Sequence, residues 1–254
     1  MTRVMPCLLV DSGRLVKTVK FKNPAYVGDP VNAIKIYNEK EVDELILLDI
    51  IATAAGREPS FDLLADVADE CFMPLAYGGG IRSIEHLKRI FRLGIEKAVI
   101  NSYAAEDPGF IGEAAELFGN QSIVVSMDVK QTLFRKYVVQ THNGRKATGY
   151  DPVEYAVLME NNGAGEIFLN SIDRDGTWKG YDIPLIRRVT EAVNIPVIAC
   201  GGAGGIRDFG YAVKQGGASA VAAGSMVVYS GKGLGVLINF PKQIELKEVL
   251  GEKA

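Results

Sequence analysis

The feature that most constrains this chain is that it repeats itself at a fixed distance. Met73-Pro-Leu-Ala-Tyr-Gly-Gly-Gly80 is matched by Ile195-Pro-Val-Ile-Ala-Cys-Gly-Gly202, with prolines and final glycines both displaced by 122 positions. Asp43-Glu-Leu-Ile-Leu-Leu-Asp49 is matched at the same offset by Gly165-Glu-Ile-Phe-Leu-Asn-Ser171. Each Gly-rich turn is followed by a helical stretch, an apolar run and a small polar pair, Asn101-Ser102 in one half and Gly224-Ser225 in the other. A fold that satisfies this must be divisible into two similar halves.

Between those landmarks, short apolar runs alternate with amphipathic stretches. The predicted strands are 4–10, 44–49, 74–77, 98–100, 122–128, 166–170, 196–199 and 220–223. The predicted helices are 31–40, 61–70, 84–93, 108–117, 152–161, 183–192, 207–214 and 242–250. Eight strands alternating with eight helices predict a parallel sheet with crossover helices. At 254 residues this fits one (β/α)8 barrel spanning 1–254, built as two half-barrels of four units. An open doubly wound sheet is the alternative. One stretch breaks the rhythm: 133–149 carries β-formers and an Asn143-Gly144 turn signal, and is expected to be a hairpin decoration after strand five. Gly231–Gly235 reads as a late loop.

In a barrel the C-terminal strand ends form the site. Gly80 with Asn101 and Ser102, and Gly202 with Gly224 and Ser225, are candidate phosphate cradles, because glycine lets backbone N–H groups approach an anion. Two tight turns without ligand are the bland alternative. Asp128 at the end of strand five, Asp49 at the end of strand two, and Asp173 and Asp175 after strand six are candidate acid/base groups. An ordinary Asp/Gly turn also explains Ser171-Ile-Asp-Arg-Asp-Gly176. His86 and His142 are poor catalytic candidates, and Trp178 is expected either to stack on a ligand or to cover the barrel. Arg3, Glu44, Lys97 and Glu166 sit at strand starts, at the opposite end. Solvated strand ends or a closed ionic ring both account for them.

Net charge is −3, from 28 basic and 31 acidic side chains, so a nucleic-acid surface or polybasic anchor is not expected. The three cysteines, Cys7, Cys71 and Cys200, form no metal-ligand spacing, and no run is long enough to span a membrane. No metal and no cofactor are expected, and a reducing cytoplasm is the expected compartment.

Taken together, Pro6-Cys-Leu8, Lys17, Gly28-Asp-Pro30, Leu48-Asp-Ile50, Gly78-Gly-Gly-Ile81, Gly163-Ala-Gly-Glu-Ile167, Ser171-Ile-Asp-Arg-Asp-Gly-Thr177, Gly180-Tyr-Asp182 and Cys200-Gly-Gly-Ala-Gly204 resemble HisF, the cyclase subunit of imidazole glycerol phosphate synthase. The resemblance runs from about Arg3 to Ser225. It implies a ribulose-phosphate-binding type of barrel, a lyase-class subunit in a heterodimer with a HisH-like glutaminase. Ammonia would enter at Arg3, Glu44, Lys97 and Glu166 and travel along the axis. A small phosphorylated substrate would be held by Lys17, Gly80, Asn101, Ser102, Asp175, Gly176, Gly202, Gly224 and Ser225.

The departure is catalytic. The family closes the imidazole ring with two aspartates, ending strands one and five. Asp128 fills the second position, while the first is Leu9, with Asp11 two residues further on. Leu9 and the segments 16–22 and 236–241 look more like HisF paralogues of bacterial surface-polysaccharide (O-antigen) clusters. There, ammonia is thought to pass to a third, ATP-using enzyme that forms an acetamidino sugar. Three functions stay open: an ammonia-delivering subunit of that kind, a histidine-pathway cyclase, and a phosphosugar-binding barrel without a glutaminase partner.

Overall fold

The computed structural model describes residues 2–251. Its barrel strands, in chain order, are Arg3–Asp11, Leu45–Asp49, Leu75–Gly78, Lys97–Ile100, Ile123–Gln131, Glu166–Ser171, Val197–Cys200 and Ala220–Ala223. Each pairs in parallel with the next, and the eighth returns to the first through Arg3↔Ala220 and Val4↔Val221. The ring is therefore a closed (β/α)8 barrel, not an open sheet. The repeat survives in the register. Leu45 faces Leu75 across strands two and three, and Ile167 faces Val197 across strands six and seven, each residue 122 positions after its counterpart.

Side chains alternate along each strand. In the first strand, Met5, Cys7 and Leu9 point into the barrel, whereas Val4, Leu8 and Val10 point to the helices. Two separate cores result. The outer one is the larger and lies between strands and helices, where Ile34 and Tyr37, Leu64 and Val67, and Leu87 and Ile90 present i, i+3 pairs. The inner one is a plug of Met5, Ile46, Ala76, Val99, Val124, Phe168, Ile198 and Ala220. Phe168 is wholly buried; truncating it to Ala would cost about 3–5 kcal/mol.

The helices start where the sequence says they should. Asp29, Ser83, Asp151 and Asp182 each accept a backbone N–H of the first turn, and proline follows Asp29 and Asp151 directly. Such caps fix where each strand-to-helix loop ends, and so where the mouth residues stand. Among the described residues no helix is long and apolar enough to cross a membrane.

The decoration after strand five is present. Tyr137–Thr141 pairs antiparallel with the end of that strand and with Lys146–Ala147, the turn falling at 142–145. A second decoration was not foreseen. Arg14–Val19 and Lys22–Gly28 form an antiparallel hairpin straight after strand one. Two further short helices, Ser102–Glu106 and Ser225–Val228, follow strands four and eight.

Candidate active site and axial ring

At the N-terminal end of the barrel, four side chains close a ring. The Arg3 guanidinium bonds Glu44 at 2.5 Å and Glu166 at 2.7 Å; Lys97 Nζ lies 3.0 Å from Glu44 and 3.2 Å from Glu166. Charges alternate around the axis, so every carboxylate has two cations and every cation two carboxylates. Burial alone would lower the Arg3 pKa, but Glu166 and Glu44 outweigh it and raise it. Glu44 and Glu166 are buried, so solvated strand ends do not describe this arrangement.

The C-terminal end opens into a cavity of about 270 Å³. Of the residues read from sequence, Lys17, Gly80, Asn101, Ser102, Asp128, Asp175, Gly176, Gly202, Gly224 and Ser225 all line it, as does Asp49. Strand ends bring Asp128 and Asn101 together: Asn101 Nδ2 donates to Asp128 Oδ2 at 3.0 Å. Burial pushes the Asp128 carboxyl up to about 7, with the Asn101 hydrogen bond opposing and the Asp175 charge adding to the rise. That places a proton donor and acceptor near neutrality in the mouth.

Lys17 comes from the first hairpin, folded back over the barrel. Its ammonium meets Asp175 Oδ1 at 3.1 Å, and Thr18 Oγ1 donates to Asp175 Oδ2 at 2.9 Å. Burial would lower the Lys17 pKa; the charge and hydrogen bond of Asp175, together with Cys7 and Cys200, outweigh this and raise it. Asp175 is thus a partner for Lys17 rather than a free base. Asp49 accepts the N–H groups of Ile51 and Ala52, and Asp173 accepts that of Gln131. Asp49 thus holds its own turn, and Asp173 ties the loop after strand six to the end of strand five.

Leu9 stands in the mouth, 8% exposed, packed with Cys7, Val16 and Leu48. Asp11 accepts the Ser12 hydroxyl and is not among the lining residues. His142 does line the cavity, although sequence reasoning set it aside, because the hairpin turn brings it back to the mouth. Trp178 does not line it, and His86 is buried under the rim beside Glu58.

Other contributors were missed. Thr53, Asn170, Cys7 and Cys200 also face the mouth. Their signal was positional only: Thr53, Asn170 and Cys200 end or follow a barrel strand, and Cys7 is an inward-facing position within the first. Hydrogen bonding to Cys7 and burial hold the Cys200 thiol well above its usual range, so it is no ready nucleophile. Among the described residues no cluster of three metal-ligating side chains exists.

A closed parallel barrel of two repeated halves, with Gly-rich turns on both sides of a mouth holding one near-neutral carboxyl, defines a (β/α)8 barrel class. The comparisons narrow this. The family model described as "Histidine biosynthesis protein" matches residues 3–233. The chain is 52% identical to a Pseudomonas aeruginosa protein provisionally named imidazole glycerol phosphate synthase subunit hisF2, over 94% of this chain and 95% of that one. It is 47% identical to a similarly named HisF of Leptospira interrogans, over 98% of both chains. It is also 47% identical to a hisF3 of Vibrio vulnificus, over 98% of this chain and 96% of the relative. The chain belongs to the histidine biosynthesis protein family, within its HisF branch.

Proposed function

We propose that this chain is the synthase subunit of a glutamine amidotransferase. It takes ammonia from a HisH-like glutaminase docked at the N-terminal end of the barrel and releases it at the mouth. The observation that carries this reading is the Arg3–Glu44–Lys97–Glu166 ring. It closes the axis with charges that balance each other, so that one side chain swinging aside is enough to open it. Behind it the axis is lined by apolar side chains, which favour a small neutral molecule over an ion. Phe72, 84% exposed, precedes strand three on the same end and supplies apolar surface for a partner. The relatives' names speak of a synthase subunit, which fits a heterodimer.

At the mouth, Leu9 supports delivery over ring closure. A leucine neither donates nor accepts a proton, and losing one general acid/base group typically costs roughly 10²–10⁴-fold in rate. With an apolar wall of Leu9, Leu48 and Ile50 in place of a carboxylate, ammonia leaves the axis as an unprotonated nucleophile. The acceptor on this reading is a nucleotide-activated sugar, converted to its acetamidino form by a third, ATP-using enzyme in surface-polysaccharide (O-antigen) synthesis in the cytoplasm.

Ring closure in histidine biosynthesis is the second reading, favoured by Asp128 being pushed up to about 7. It requires a partner acid/base that neither Leu9 nor Asp11 supplies.

The docking claim is tested by size-exclusion chromatography of the chain with a HisH-like glutaminase. The expected result is a stable one-to-one complex, weakened by Phe72→Ser. Two separate peaks at micromolar concentration would leave a phosphosugar-binding barrel without a partner as the better account.

A further inference from the structure

Two hairpins rise from the mouth, one over 14–28 and one after strand five, and their composition departs from that of the chain. Residues 12–28 carry Arg14, Lys17, Lys20 and Lys22 and no aspartate or glutamate. Residues 129–150 carry Lys130, Arg135, Lys136, Arg145 and Lys146, again with no acidic residue. Lys17 is buried against Asp175, but the others are exposed and, among the described residues, in no ion pair. The net charge of −3 conceals this basic face, because the acidic excess lies elsewhere in the chain.

The two hairpins form one surface. Lys20 N–H donates to the Asp175 carbonyl at 3.0 Å and Gln131 N–H to Asp173 Oδ2 at 2.7 Å, so both are tied to the loop after strand six. A Cβ on Gly144 would stand 3.2 Å from the Phe21 ring, which puts the two turns against each other. Phe21, His142 and Asn143 line the cavity, so this surface borders the mouth.

Its outermost residues are apolar. Strand five runs past Asp128 to Gln131, which carries the chain about 10 Å beyond that carboxylate. There Arg135 N–H donates to the Thr132 carbonyl at 2.9 Å and Lys136 N–H to Thr132 Oγ1 at 3.2 Å, closing a tight turn. Leu133 and Phe134 stand at its corners, 99% and 88% exposed. Turn corners ordinarily take Gly, Asn, Asp or Ser, and nothing in the fold covers this pair. Val19 and Tyr26 are likewise exposed on the other hairpin. A large apolar anchor ringed by charges is the make-up of a protein-binding surface.

We propose that this rim is the docking surface for the enzyme that consumes the ammonia, a protein with an acidic face and an apolar hollow that takes Leu133 and Phe134. The inference rests on the ammonia-delivering reading. Ammonia set free in bulk water at neutral pH takes up a proton and ceases to be a nucleophile, so a consumer seated over the mouth keeps it reactive. The cations steer an acidic partner to the mouth and align it, while the apolar tip holds it. A lipid bilayer bound by the same residues would lie across the exit and leave no room for an acceptor, which favours a protein.

The test measures binding of the full chain to a HisH-like glutaminase and to the ATP-using enzyme of the surface-polysaccharide route, each by biolayer interferometry. The expected result is that the chain binds both, and that the ATP-using enzyme is held at least about tenfold more weakly when salt is raised from about 50 to about 500 mM. Leu133→Ser with Phe134→Ser, and separately Lys22→Glu with Lys130→Glu, should each weaken that enzyme at least about tenfold. Glutaminase binding, at the other end of the barrel, should stay unchanged. All four sites are exposed, and the unchanged glutaminase binding shows that the variants are folded. Binding of the ATP-using enzyme that ignores both variants overturns the proposal, as does binding of the chain to phosphatidylcholine–phosphatidylserine vesicles through these same residues. A parent chain that binds the glutaminase but not the ATP-using enzyme overturns it and leaves ammonia delivery standing; a chain that binds neither overturns both.

Discussion

Asn101 Nδ2 donates to Asp128 Oδ2 across the ends of strands four and five at 3.0 Å, beneath the mouth of the barrel. The bond favours the charged carboxylate, while burial favours the neutral acid and wins, leaving Asp128 pushed up to about 7 from 3.8. An acid raised in this way is bound more tightly to its proton in the native state than in the unfolded chain. Stability is therefore highest below the unfolded value and falls as pH rises from about 3.8 towards about 7. Asp128→Asn removes that fall. It is expected to be neutral at pH 4 and stabilising by roughly 2–4 kcal/mol at pH 8. Urea denaturation at the two pH values checks it, and equal effects at both would contradict the assignment.

The same carboxyl should respond to its neighbour. Asn101→Ala takes away a hydrogen bond to the charged form, so the midpoint of Asp128 should move further up. Carbon NMR of the labelled carboxyl reads this directly, and a downward movement would mean that the amide does not hold the charged form.

The axial ring should behave as one unit. Lys97→Met leaves the buried Glu44 and Glu166 sharing Arg3 alone, and is expected to lose roughly 2–4 kcal/mol. Adding Glu166→Gln should return part of that loss, since one unpaired carboxylate disappears. A double-mutant cycle in thermal or urea unfolding measures the coupling. Strict additivity would reduce the ring to solvated strand ends.

The two glycines Gly202 and Gly94 separate crowding from backbone preference. Both have positive φ, +110° and +88°, yet a Cβ on Gly202 would run into the Gly180 carbonyl whereas Gly94 has nothing within 4 Å. Gly94→Ala should lose about 1 kcal/mol. Gly202→Ala should lose more than about 2 kcal/mol, because backbone must also move. Similar losses would mean the seventh strand end is softer than its packing suggests.

The barrel was legible because its signals are short-range and repeated. The runs from Leu45 to Leu48 and from Ile167 to Asn170, apolar but for Asn170, occupy the same place in each half, so each supports the other. The ring was legible as four charged positions at strand starts, which only the closed sheet brings to one axis. The hairpin over 14–28 was not legible. Pro24 sits inside its second strand, five successive residues there are exposed, and Lys20, Phe21 and Asn23 take left-handed backbone. None of this resembles an alternating strand. The helices at 102–106 and 225–228 are shorter than two turns, too short for a 3.6-residue period to emerge. Nor could spacing reveal that the His142 backbone N–H donates to Ser102 Oγ. That contact depends on a hairpin turn from elsewhere in the chain.

The central claim is that this barrel keeps a route for ammonia while having given up ring closure at Leu9. The most direct measurement supplies the folded chain, alone and with a HisH-like glutaminase, with the phosphoribulosyl formimino substrate and an ammonium salt at mildly alkaline pH, and follows imidazole glycerol phosphate. The account predicts no imidazole product from a folded, partner-binding chain. Steady formation of imidazole glycerol phosphate, abolished by Asp128→Asn, would contradict it and identify a cyclase that works with a single aspartate.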